Sequence, residues 1–123
     1  MTHLFRLLFW AAAIFAITMA LWPLATPVPT AGLTDKWQHM IAFFTLTVLA
    51  GLAYPGQRLR TIAAAMILLG LAIEVAQWAL PVLNRQGSGM DWLADGAATL
   101  VGLELLMVVR ATGKVQAAEP RGR

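Results

Sequence analysis

The residues able to do chemistry fall in three short runs. Asp35, Lys36 and His39 form the first, Glu74 and Gln77 the second, and Arg85, Asp91 and Asp95 the third. They hold four of the six acidic residues of the chain and one of its two histidines. Asp35/His39 and Asp91/Asp95 are spaced i,i+4 and Glu74/Gln77 i,i+3, so on helices each set shares one face. An imidazole beside carboxylates suits proton transfer, with His39, Glu74 and Asp95 as the catalytic candidates. The same groups with Asp91 offer nitrogen and oxygen ligands to a divalent metal. With His3 expected on the opposite side of the membrane, one histidine makes a sparse metal set, and no cofactor is expected. Lys36 and Arg85 suit a phosphate or similar headgroup. The eight residues together make a ligand-binding set.

No H-E-x-x-H, G-x-S-x-G or phosphate-loop pattern occurs. Cysteine is absent, which excludes disulfides, thiolate zinc sites and a catalytic thiol. A net charge of +3, interrupted by apolar runs, gives no nucleic-acid footprint.

Some of these residues have plainer uses. Asp35 and Asp91 stand at helix starts, where a short acidic side chain caps free amides and suits the helix dipole. Lys36 and Arg85 suit membrane interfaces. Glu104 lies near a helix end and is expected to pair with Arg110, Arg58 or Arg60. Glu74 and Asp95 are different. Glu74 lies about 9 Å inside Leu80, and Asp95 about 5 Å inside Trp92, at about 1.5 Å per residue. Groups at that depth must be paired, protonated or liganded, which makes them functional candidates by default.

The elements that position them are apolar. Hydrophobic residues make up 59% of the 123 positions and charged ones 12%, against about 25% charged in an ordinary soluble domain. Four apolar blocks run over about 7–24, 37–54, 61–80 and 92–109, separated by turn-forming residues. Each is long enough to cross roughly 30 Å of hydrocarbon as a helix. The expected fold is all-α: one polytopic domain over residues 1–110, an antiparallel bundle of four transmembrane helices, followed by a polar, disordered tail at 111–123. The first block is also open to reading as a signal peptide, but its apolar run is long and Pro27 and Pro29 crowd the cleavage region.

Seven of the nine Lys and Arg residues lie at the N-terminus, in the second connection or in the tail. The positive-inside rule then places both termini in the cytoplasm and the polar cluster on the extracytoplasmic side of the membrane. Ala98 and Gly102 continue the Asp91/Asp95 stripe, and Ala63, Ile67 and Gly70 that of Glu74, so these faces point inward and allow close helix approach.

The runs D-K-W-Q-H-M-I-A-F at 35–43 and G-L-A-I-E-V-A-Q at 70–77, then Arg85, Asp91, Asp95 and Gly102, resemble the VanZ-like membrane proteins in order and spacing. The resemblance covers about residues 5–110. Asp95 stands where that family commonly has Asn, and Ala98 where it has Gly. The resemblance implies a bacterial cell-envelope protein, and the founding member is linked to resistance to the antibiotic teicoplanin. Two functions from different classes follow as expectations. One is recognition of an outer-leaflet lipid, glycolipid or lipoglycopeptide by the polar pocket. The other is an intramembrane enzyme acting on a lipid-linked headgroup. An ion-coupled subunit ranks below both, because the four blocks show no inverted repeat.

Overall fold

A computed structural model of the chain describes residues 1–23, 35–83 and 89–118. Four helices follow in order: α1 (Thr2–Ala20), α2 (Asp35–Ala53), α3 (Leu59–Ala79) and α4 (Gly89–Ala118), with a short 3-10 turn at Pro81–Leu83 after α3. The expected tail does not begin at Ala111, because α4 continues to Ala118. Ala, Lys, Val and Gln sustain a helix there, and the first strong breaker is Pro120. At the other end α1 begins at Thr2 and stops at Ala20, ahead of Pro23.

α1, α3 and α4 are each long and apolar enough to cross a membrane. α2 has the length, at 19 residues, but its first two turns carry Asp35, Lys36, Gln38 and His39. This helix with the most polar start is the central one. It packs against α4 most extensively, then α1, and more lightly against α3. Phe43, Leu46 and Thr47 of α2 are among the most completely buried side chains. A helix surrounded by protein does not need an apolar surface all round.

Sequential helices are neighbours, and the largest interface joins α2 to α4. These two run parallel, since His39 meets Asp95 near their starts and Gly51 meets Leu106 further along. Small residues permit this approach. A Cβ on Gly102 would lie 2.9 Å from Thr47 Cβ, and one on Gly51 would overlap the Leu106 side chain. The Thr47 hydroxyl donates to the Phe43 carbonyl at 2.6 Å, so it adds no unsatisfied group to that contact.

Arginines close the end of the bundle opposite the polar cluster. Arg6 Nε donates to the Ala53 carbonyl at 3.2 Å, and its guanidinium lies 5.1 Å from the Tyr54 ring centre. Arg110 donates to the Gln57 carbonyl at 2.9 Å. Carbonyls at and beyond the end of α2, which have no partner within the helix, are thereby satisfied. Glu104 therefore does not have Arg110 as its partner; it is exposed on the outer face of α4.

Gly102→Val should destabilise the bundle by about 1–3 kcal/mol through overpacking against Thr47. Gly96→Ala, where a Cβ meets nothing within 4 Å, should leave stability unchanged or raise it by up to about 1 kcal/mol. Thermal unfolding in detergent followed by circular dichroism checks the pair.

Candidate functional site

Each helix brings its contribution to the same end of the bundle. His39 lies just past the first turn of α2, Asp95 in the second turn of α4, and Glu74 and Gln77 in the last two turns of α3. α1 ends beside them, and its Ala20 carbonyl accepts a hydrogen bond from Gln77 Nε2 at 2.8 Å. Alternating direction in a chain of four helices is what collects residues so far apart in sequence.

The central contact is between His39 and Asp95. His39 Nδ1 lies 3.0 Å from Asp95 Oδ1 and 3.2 Å from Oδ2. With Asp95 ionised, the proton sits on Nδ1 and is donated to the carboxylate, which fixes the tautomer and turns Nε2 away from Asp95. Both side chains are nearly inaccessible, at 5% and 3%. Glu74 completes a trio: one ligand-type atom from each of His39, Glu74 and Asp95 lies within 4.8 Å of the others. Gln77 is 1% exposed; its Oε1 is buried and accepts no hydrogen bond, while its amide nitrogen is held by Ala20.

Local structure explains how a carboxylate reaches this depth. Gly70, one turn before Glu74, gives Asp95 its space on α3, because a Cβ there would lie 3.3 Å from Asp95 Oδ2 and 3.2 Å from Trp92 Cδ1. Trp92 Nε1 donates to the Ile67 carbonyl at 3.3 Å and ties the start of α4 to α3. The Thr99 hydroxyl donates to the Asp95 carbonyl at 2.8 Å, one turn below the carboxylate.

Beside the trio runs a groove between α1 and α2 with a volume of about 270 Å³. Its wall is almost wholly apolar, and Gln38, His39 and Thr45 are its polar residues. Ala12, Ala16 and Ala20 on α1 face Ala42 and Thr45 on α2, so small side chains leave the space unfilled. From the level of Ala20 to that of Ala12 it extends about 12 Å along the helices. The spacing of these alanines, every fourth residue, was visible in the sequence, but nothing there separated a groove from a tight interface.

The trio thus unites His39, Glu74 and Asp95, with Gln77 buried beside Glu74 along α3. Asp91 is half-buried in the first turn of α4, a favourable place for a carboxylate by the helix dipole, and is not in the trio. Lys36 is exposed one turn before His39. Asp35 opens α2, its side chain outside the described part, and Arg85 falls wholly outside the described residues.

Chemically, an imidazole oriented by a carboxylate with a second carboxylate nearby is equipped for three tasks. It can relay a proton, hydrogen-bond a polar headgroup, or hold a divalent metal through one nitrogen and two carboxylates. Comparison of the chain with family models, with characterised proteins and with solved structures returns no match.

Asp95→Ala removes the acceptor of a buried histidine and should cost about 1–3 kcal/mol. Asp95→Asn keeps an oxygen that accepts from Nδ1 and should cost less than half as much. Denaturation midpoints of the two variants in detergent test the order; equal losses would show that the His39 bond is not what Asp95 contributes.

Proposed function

We propose that this chain is a small membrane protein of the bacterial cell envelope, similar to the VanZ-like proteins, that recognises an amphiphile at the outer leaflet. The observation carrying the reading is that the apolar groove between α1 and α2 ends at His39, and His39 belongs to the buried polar trio. An acyl chain lies along Ala12, Ala16 and Ala42, and its headgroup meets His39, Glu74 and Asp95. A lipid, glycolipid or lipoglycopeptide has this division into tail and head. All four helices, α2 included, cross the membrane, and the two termini lie on the cytoplasmic side with most of the basic residues. Lys36, one turn before His39, and Arg85, in the segment between α3 and α4, supply positive charge for an anionic headgroup.

Affinity in such a site comes mainly from the tail, since burying apolar surface is non-directional and adds with length. Selectivity comes from the head, because buried polar atoms left unmatched by the wrong headgroup cost binding energy. Gln77 Oε1, already buried without a donor, is a ready acceptor for a hydroxyl or amide of that head.

A second reading rests on the donor geometry of the trio. One imidazole and two carboxylates within 4.8 Å form a nitrogen–oxygen set suited to a divalent metal, and such a metal would supply Lewis-acid chemistry to an enzyme acting on a lipid-linked headgroup.

The test is mass spectrometry of lipids and metals retained by protein purified in mild detergent. The recognition reading expects a lipid retained at near one per chain. Ala16→Trp or Ala42→Trp, which fills the groove, should cut retention about tenfold or more, equivalent to at least 1.4 kcal/mol, with helicity unchanged. Glu74→Gln should weaken retention only in part. Stoichiometric metal lost on His39→Ala, together with complete loss of function in Glu74→Gln, would replace recognition by the enzyme reading.

A further inference from the structure

The groove between α1 and α2 stops short of the arginine end of the bundle, and one side chain stands where it stops. Phe9, Ala12, Ala16 and Ala20 share one face of α1. The three alanines line the groove, which ends at Ala12 on α1 and Leu46 on α2. Phe9 is the next residue on that face, about 4.5 Å further along the helix. It is also the first large one, half-buried and packed against the core, so the clearance that alanine leaves is closed at this turn.

Phe9 is braced from behind. Its ring meets Trp10 edge-on with centres 5.3 Å apart, and Tyr54, just past the end of α2, at 6.1 Å. Trp10 Nε1 donates to the Tyr54 hydroxyl at 3.1 Å, which ties the three rings together. The Arg6 guanidinium lies 5.1 Å from the Tyr54 ring centre, and its Nε is fixed on the Ala53 carbonyl. Edge-to-face rings and a cation over a ring attract beyond the area they bury. A tail pressing on Phe9 cannot move it without loosening both ring contacts. The groove itself is narrow: about 270 Å³ spread over about 12 Å, below the roughly 300–1,000 Å³ of small-molecule sites. That shape admits one unbranched hydrocarbon chain.

Resting on the reading that the groove takes the tail of an amphiphile, we infer that Phe9 sets the tail length the site prefers. The head is held at the His39 end and the wall closes on Phe9, so the tail has a fixed length to lie on. About 12 Å of wall matches about ten methylene groups. Each methylene up to that length gains packing contacts with the groove. Those beyond it meet Phe9 and turn out past Phe15 and Thr45, both exposed on the open side, into lipid. There they gain nothing over the surrounding bilayer. Preference therefore rises with tail length and levels off where Phe9 stands.

The test offers the purified chain, in mild detergent, a mixture of saturated single-chain phosphoglycerol lipids of graded tail length. Native mass spectrometry reads which are retained relative to the mixture supplied. Every variant meets the same mixture, so the detergent's own preference cancels. For the unaltered chain, retention should rise up to about ten methylene groups and stay level beyond. Phe9→Ala should move that break outward by about three or four methylene groups and raise retention of the longer tails about tenfold. Ala12→Phe brings the floor about 4.5 Å nearer His39 and should move the break inward by a similar amount. It adds bulk only to open space, so it decides the matter alone if Phe9→Ala does not fold. Leu8→Ala, beside Phe9 but exposed to lipid, should leave the break in place. A break unmoved by Phe9→Ala and Ala12→Phe, or moved equally by Leu8→Ala, overturns the inference and leaves amphiphile recognition standing. Retention of no single-chain lipid by any of these proteins overturns both.

Discussion

The hydrogen bond between His39 and Asp95 sets terms for the rest of the bundle. Two nearly inaccessible polar side chains on parallel helices meet at 3.0 Å. α2 and α4 therefore have to lie close, and Gly51 and Gly102 give them the clearance further down the interface. α3 has to lie close to α4 as well, which Gly70 allows by leaving room for the Asp95 carboxylate. Where lipid surrounds the helices, packing and interhelical hydrogen bonds carry the association that the hydrophobic effect drives in water. In this chain both come from the same interface.

The same constraint decides where polarity is tolerated. α2 carries the most polar start of the four helices and is also the one most enclosed by the others, whereas α1 exposes most of its surface and is apolar nearly throughout. The opposite end is held by arginines reaching carbonyls at and beyond the end of α2. One end of the molecule is thus closed by cations on backbone oxygen, and the other gathers imidazole, carboxylates and an amide beside an apolar groove.

Much of this was legible in the residues because lipid leaves a coarse signature. Long apolar blocks gave four helices with ends shifted by only a few residues, except where α4 runs on to Ala118. The depth of Glu74 and Asp95 marked them as more than caps, and the structure joins both to His39. Asp91 shared the same helical face but sits in the first turn, where dipole and exposure are enough to explain it. The dominance of the α2–α4 contact was hidden because nonadjacent helices leave no trace in connection length; Gly102 hinted at close approach without naming its partner. The groove was hidden too, since alanines at 12, 16 and 20 read equally well as a tight interface. Glu104 seemed placed to reach Arg110, but six residues of separation put the two on different sides of the helix.

The account stands or falls on whether α2 crosses the membrane and delivers the His39–Glu74–Asp95 end to the envelope side. Single cysteines at Thr34, Gly56, Gly87 and Gly113, treated in intact cells with a membrane-impermeant thiol reagent, test this directly. The account predicts labelling at Thr34 and Gly87 alone, with Gly56 and Gly113 reacting only after the cells are opened. Labelling of Gly56 and Gly113 instead would put the cluster at the cytoplasmic leaflet, and matching behaviour of Thr34 and Gly56 would show that α2 does not cross; either result contradicts it.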